Sequence, residues 1–117
     1  MAGHGDAAKF STKKIARIWK GRVKLAVADE YAAYLYESGV RHLKSVEGNL
    51  GVQMFRKSEQ ETAEFMVVSY WDPGKAQDAI RKFAGASAGK AWLLKKDREY
   101  LLDPDRAPEH YELLSDD

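Results

Sequence analysis

The sequence predicts a small α+β domain in which four strands form one sheet and two helices pack against it. Three observations lead to this class. Apolar, β-prone runs at residues 15–23 and 62–71 are typical of buried strands. A helical pattern at residues 28–46 follows the first run. Asp72-Pro73-Gly74 breaks the other run and opens a second helical pattern.

The first strand and the first helix each present one distinct face. In the strand at residues 15–23, alternation places Ile15, Arg17 and Trp19 on the same side. The helix at residues 28–46 has a stripe at helical spacing that is expected to be buried and contains Ala28, Ala32, Leu35, Gly39, Leu43 and Val46. Gly48-Asn49 tolerates positive φ and therefore ends the helix.

The rest of the chain completes a βαββαβ order. A strand at residues 50–56, a charged loop at 57–61 and a strand at 62–71 form an antiparallel hairpin. A helix is predicted at residues 75–83, a short helix at 91–96 with an extended segment after it, and a terminal strand at 110–114. This order is the ferredoxin-like arrangement.

Size and composition limit the possible function classes. The 117 residues suffice for one domain at 14–117, with residues 1–13 as a flexible lead-in. Because Lys and Arg total 19 against 18 acidic residues, no net field attracts nucleic acid or an anionic membrane. The absence of cysteine removes thiol chemistry and is compatible with the expected cytoplasmic location. No apolar run reaches the roughly 20 residues of a membrane helix.

The third predicted strand is apolar on both faces. One face carries Phe65, Val67 and Trp71, and the other carries Met66, Val68 and Tyr70. Two helices cover only one face of such a sheet, and a bare apolar face of this size is unusual for a soluble monomer. We therefore expect a homodimer in which two sheets pack face to face.

Five segments carry a resemblance to a known family, namely IARIWKG at residues 15–21, EGN at 47–49, FMVVSYWD at 65–72, FAG at 83–85 and HYEL at 110–113. Over about residues 14–114, the chain resembles the antibiotic biosynthesis monooxygenase-like group of the dimeric α+β barrel superfamily. The resemblance implies a homodimer with a pocket between helices and sheet in each subunit. Relatives include cofactor-independent oxygenases of aromatic polyketides and haem-degrading oxygenases.

The catalytic positions of those relatives differ in this chain. Polyketide-oxidising relatives carry an Asn four positions before the strand-ending Trp and a Tyr six after it, where counting from Trp71 gives Val67 and Gln77. Haem-degrading relatives use a Trp on the second helix and a His ten residues later, and the corresponding register gives Ile80 and Lys90. Only Trp71 agrees. The resemblance is therefore more specific for the fold than for the activity.

Candidate site residues combine titratable and aromatic side chains. His42 falls on the shoulder of the first helix and, if it faces the sheet there, is the candidate general base, because histidine is the side chain that ordinarily titrates near neutral pH. Arg17 would anchor a carboxylate, a phenolate or a reduced dioxygen species, or else form an ion pair with Glu64 or Glu112. The further candidates for substrate binding are Trp19, Tyr31, Tyr70, Trp71 and His110. Packing or an ordinary hydrogen bond is the alternative role for each of these.

The leading functional hypothesis is a cofactor-independent monooxygenase that acts on a small planar aromatic or quinone-like molecule. His42 would abstract a proton before dioxygen reacts, and the oxygenase label rests on the resemblance. No metal is expected, because the three histidines are far apart in the sequence. One alternative is a non-catalytic dimer that binds a hydrophobic ligand, including haem, or is stress-associated. Another is an isomerase or lyase on the same scaffold.

Overall fold

The computed structural model describes residues 10–76 and 93–117. The strands are β1, Lys14–Lys24; β2, Asn49–Ser58; β3, Thr62–Trp71; and β4, Glu109–Leu113. Helix α1, residues 28–45, comprises Ala28–Leu35, a π-helical turn at Tyr36–Val40 and Arg41–Ser45, and α2 is Lys95–Tyr100. Most of the predicted helix at residues 75–83 lies outside the described residues. In the part of the chain described, no helix has the length and apolar content of a membrane span.

The strands form one antiparallel sheet in the order β2-β3-β1-β4. In this sheet β1 is central, with Trp19 opposite Val67 of β3 and Arg17 opposite His110 of β4. The register of β2 against β3 shifts between Asn49 and Gly51. The predicted α+β class and antiparallel sheet are confirmed, and the strand order is compatible with a ferredoxin-like fold.

The short helix before the last strand differs from its prediction. It is Lys95–Tyr100 rather than residues 91–96, so the expected extended segment directly after residue 96 is wrong. Asp97 explains the boundary, because its Oδ2 accepts a hydrogen bond from the backbone N–H of Leu94 at 2.9 Å. This bond satisfies an amide that the first helical turn leaves without a partner, so the helix begins after Leu94.

One face of the sheet packs against α1 to form the core. The largest contributions come from Trp19, Val23, Tyr31, Leu35, Val40, Leu43, Phe65, Val67 and Trp71. The predicted helix stripe is confirmed at Ala28, Leu35 and Leu43, but it omits the buried Tyr31 and Val40. The five-residue step from Leu35 to Val40 is the spacing of a π-helical turn, which sequence periodicity at 3.6 residues does not anticipate.

The opposite face of the sheet carries a second apolar surface, here called the open face. Its apolar members are Ala16, Ile18, Phe55, Met66, Val68, Tyr70 and Tyr111, and strand alternation and register place Lys14, Lys20, Gln53 and Glu109 on the same side. Val68 is buried but does not belong to the core cluster. Phe55 is 45% exposed and Tyr111 is 53% exposed. The apolar second face predicted from β3 therefore extends across all four strands.

Candidate functional site

A partly open cavity of about 40 Å³ lies between the core face of the sheet and α1. The sheet contributes Arg17, Trp19 and Val67, and the helical side contributes Leu35, Ser38, Gly39, Leu43, Leu93 and Asp97. A volume of this size accommodates about three water molecules, whereas a cavity that binds benzene measures roughly 150 Å³. The cavity therefore fits the polar end group of a ligand, with the remainder of the ligand at its mouth.

The π-helical turn of α1 shapes the helical wall of the cavity. Its wider turn accommodates one more residue than an α-helical turn, and Ser38 and Gly39 line the cavity from this segment. The Ser38 hydroxyl donates a hydrogen bond to the carbonyl oxygen of Tyr34 at 2.8 Å. A Cβ at Gly39 would lie 3.2 Å from Leu35 Cδ1, so the lack of a side chain keeps this wall open. Such π-helical turns occur frequently at functional sites.

Arg17 brings a buried positive charge to the cavity. The residue is only 5% exposed, and burial lowers the pKa of its guanidinium to about 10, so it remains charged at neutral pH. Its five N–H donors can serve protein groups and an anionic ligand at once. Glu64, one of the two proposed acidic partners, is instead bound by Arg106 at 3.0 Å.

Asp97 contributes a buried carboxylate from α2. The residue is 5% exposed. Its Oδ1 accepts a hydrogen bond from the Tyr31 hydroxyl at 3.0 Å, and its Oδ2 accepts the Leu94 N–H at 2.9 Å. A carboxylate offers about four acceptor positions, so Asp97 retains capacity for a ligand donor. Sequence reasoning missed this residue, although an acid three positions after the residue preceding a helix is a recognisable capping signal.

Tyrosine rings pack beside Asp97. The Tyr31 ring centroid lies 5.2 Å from that of Tyr100 and 6.0 Å from that of Tyr34. Burial, together with Asp97, raises the pKa values of both Tyr31 and Tyr34 above the ordinary tyrosine value. The Tyr100 hydroxyl donates to Glu30, and this hydrogen bond raises the pKa of Tyr100 to about 12. The buried Tyr34 hydroxyl has no hydrogen-bond partner within residues 10–76 and 93–117.

Some of the predicted site residues meet at the cavity. Arg17 and Trp19 line it directly, and Tyr31 reaches it through its hydrogen bond to Asp97. His42 is exposed and is not among the described lining residues, so it does not face the cavity from α1. Leu43 occupies the buried position after the π-helical turn, and the neighbouring His42 is exposed to solvent.

The remaining predicted residues lie outside the cavity lining. Trp71 is 1% exposed within the core, where its indole N–H donates to Ser69 Oγ at 2.9 Å. Tyr70 belongs to the open face, and its hydroxyl donates to Gln53 Oε1 at 2.8 Å. His110 is exposed on β4 opposite Arg17, and partial burial together with the Arg17 charge lowers the pKa of its imidazole.

Neither a metal-binding cluster among the described residues nor a significant match to known proteins assigns the site, so the site is judged on its geometry. Among the described residues, no group of three or more His, Asp or Glu side chains is arranged to hold a metal ion. Among the lining residues that the structure describes, the polar ones are Arg17, Ser38 and Asp97, and the others are apolar side chains and Gly39. No protein-family model matches the chain, and a search of curated proteins found no significant match.

Proposed function

We propose that this domain binds a small organic anion whose charged group enters the cavity beside Arg17. The observation that supports the proposal is the position of Arg17. This residue is only 5% exposed, and it lines a cavity together with Trp19, Leu35, Leu43, Val67 and Leu93. In such surroundings a charge-assisted hydrogen bond to a carboxylate or phenolate is stronger than in water. The Trp19 indole offers a broad apolar surface for the flat body of an aromatic ligand.

Isothermal titration calorimetry with phenylacetate tests this binding. Arg17→Met removes the charge and keeps an apolar side chain of similar length, so the affinity is expected to fall at least tenfold with the loss of a charge-assisted hydrogen bond. The matched control is Arg41→Met, because Arg41 lies on α1 with a side chain 63% exposed. The control is expected to retain wild-type affinity. Equal affinity in Arg17→Met, or no saturable binding by the wild type, would contradict the proposal.

We also propose that two copies associate through the open face, as a member of the dimeric α+β barrel superfamily would. The exposed Phe55 and Tyr111 and the half-buried Ile18 and Met66 support this arrangement. Burial of apolar area stabilises association by about 25 cal/mol per Å² before entropy losses are subtracted. A homodimer would remove from water a surface that soluble monomers rarely present.

Light scattering with size-exclusion chromatography tests the homodimer. The wild type is expected to have about twice the chain mass of 13.2 kDa at micromolar concentration. Phe55→Lys should shift the protein to a monomer, because it would bury a charge without a partner. Tyr36→Lys is the matched control, since Tyr36 on α1 and Phe55 are both 45% exposed. A wild-type mass near 13.2 kDa would contradict the homodimer.

The second candidate function is cofactor-independent oxygenation, which the carboxylate of Asp97 in the cavity lining favours. Asp97 would take a proton from an activated CH₂ group of the substrate, in the role first considered for His42. The carbanion would form a C–O bond with dioxygen, and the resulting peroxide would take back the proton and lose water. The net change is CH₂ + O₂ → C=O + H₂O, which needs neither a metal nor a flavin.

Oxygen uptake with an anthrone-type substrate separates oxygenation from binding alone. If Asp97 is the base, Asp97→Asn is expected to lose uptake, and His42→Ala is expected to retain it because His42 is exposed. Phenylacetate affinity should survive in both variants, since Arg17 is intact. If oxygen uptake with the wild type does not exceed autoxidation of the substrate, the oxygenase hypothesis is contradicted. The proposed binding function is unaffected by that result.

A further inference from the structure

The helical side of the cavity has hydrogen-bonding groups, in the lining or next to it, that a simple anion beside Arg17 would not use. The Tyr34 hydroxyl oxygen is buried and has no hydrogen-bond partner among the described residues. In Asp97, Oδ1 accepts a hydrogen bond from Tyr31 and Oδ2 accepts one from Leu94, so each oxygen has a further acceptor position. A buried hydroxyl without a partner is unfavourable, and it is commonly explained by a bound water or ligand.

These groups lie close together. Ser38 Oγ donates to the carbonyl oxygen of Tyr34, one helical turn earlier on α1. The Tyr34 ring packs 6.0 Å from the ring of Tyr31, whose hydroxyl donates to Asp97. Burial, together with the negative charge of Asp97, raises the pKa of Tyr34, as expected for a tyrosine near this carboxylate. We call Tyr34, Ser38 and Asp97 the polar corner, and its last two members line the cavity.

We propose that the ligand is a 2-hydroxy acid, with its carboxylate beside Arg17 and its hydroxyl in the polar corner. The inference rests on the proposed function, because the same cavity holds the carboxylate. Asp97 accepts hydrogen bonds, and the Tyr34 hydroxyl has a proton to donate. A ligand hydroxyl satisfies both groups, since it donates to Asp97 and accepts from Tyr34. A 2-hydroxy acid also carries its two polar groups on adjacent carbons, which suits a cavity of about 40 Å³.

Three probes that differ at one carbon test this selectivity by calorimetry. Phenylacetate has no substituent there, mandelate has a hydroxyl, and 2-methoxy-2-phenylacetate has an ether oxygen without a proton. We expect mandelate to bind about tenfold more tightly than phenylacetate, as one hydrogen bond to a charged group implies. The methoxy compound should show no such gain, because it has no proton to donate to Asp97.

The variant Tyr34→Phe tests whether the Tyr34 hydroxyl causes the preference for mandelate. It should reduce mandelate affinity toward that of phenylacetate and leave phenylacetate affinity unchanged. Because the Tyr34 hydroxyl has no hydrogen bond in the described structure, the variant is expected to keep its melting temperature. Tyr36→Phe is the matched control, since Tyr36 is exposed on the same helix and should bind both acids as the wild type does.

The outcomes distinguish this inference from the function on which it rests. Phenylacetate binding that depends on Arg17, without tighter binding of mandelate, overturns the inference and leaves anion binding in place. A mandelate preference that survives in Tyr34→Phe also overturns it, because the polar corner would not be its source. If neither acid binds the wild type, both the inference and the proposed function fail.

Discussion

The hydroxyl of Tyr31 donates a hydrogen bond to Oδ1 of Asp97 at 3.0 Å, and this buried contact joins α1 to α2 across 66 positions of the sequence. Tyr31 is fully buried in the core, and Asp97 lines the cavity. The contact therefore connects the packing of the domain to the candidate site. It also holds the Asp97 carboxylate in the orientation in which a ligand would meet it.

Removal of this hydroxyl should destabilise the protein measurably. Tyr31→Phe keeps the ring and removes the donor to a buried carboxylate, so the free energy of unfolding should fall by about 1–3 kcal/mol. Urea denaturation measures the change, with the exposed Tyr36→Phe as control. In a double-mutant cycle with Asp97→Ala, the two losses should not be additive, because each substitution removes the same contact. Additive losses would show that the two residues act independently.

Gly21 is required for the position of the Trp19 ring. A Cβ at Gly21 would lie 2.7 Å from Trp19 Cζ2 and Cη2 and 2.7 Å from Leu101 Cδ2. Gly21→Ala should therefore lower the free energy of unfolding by about 1–3 kcal/mol through overpacking. Trp19→Phe removes the two clashing ring atoms, so Gly21→Ala should cost less in that background. An equal cost in both backgrounds, measured by urea denaturation, would mean that the ring is not the obstacle.

Gly39 should affect ligand binding more than stability. Gly39→Ala gains about 1 kcal/mol of helix propensity. The new methyl group would meet Leu35 Cδ1 at 3.2 Å, and the flexible end of Leu35 would move at a cost of similar size. Because both residues line the cavity, phenylacetate affinity should fall several-fold while the free energy of unfolding changes by less than about 1 kcal/mol. Calorimetry and urea denaturation give the two values, and unchanged affinity would contradict the prediction.

The imidazole of His110 should make stability depend on pH in the acidic range. Partial burial and the charge of Arg17 lower its pKa in the folded state. Between this lowered pKa and the unfolded value of about 6.5, the unfolded chain binds more protons, so stability rises with pH in that window. The contribution is fully present above about pH 6.5 and is lost as the pH falls through the folded pKa. His110→Gln should flatten this part of the urea-measured profile.

An NMR titration of the His110 imidazole gives an independent check. The wild-type pKa should lie below the ordinary histidine value of about 6.5. In Arg17→Met the His110 pKa should rise, because a neighbouring positive charge is removed. An identical pKa in the two proteins would show that Arg17 does not act on His110, even though the two residues are opposite each other in the β1–β4 register.

The sequence by itself determined the strands, the first helix and which side chains of β1 share the face that lines the cavity. The alternation of β1 predicted that Arg17 and Trp19 share a face, and both line the cavity. Hydrophobic periodicity suffices for such statements, because it reflects local backbone geometry and burial.

Only the tertiary structure decided the composition of the cavity. Asp97 reaches it because the backbone of Leu94 and the hydroxyl of Tyr31 hold its carboxylate, and the latter partner is 66 positions away. The π-helical turn at Tyr36–Val40 changes which side of α1 is buried, and His42 is therefore exposed. Sequence periodicity predicts neither effect. The position of Asp97 depends on a contact with a distant segment of the chain, and the exposure of His42 depends on a single irregular turn.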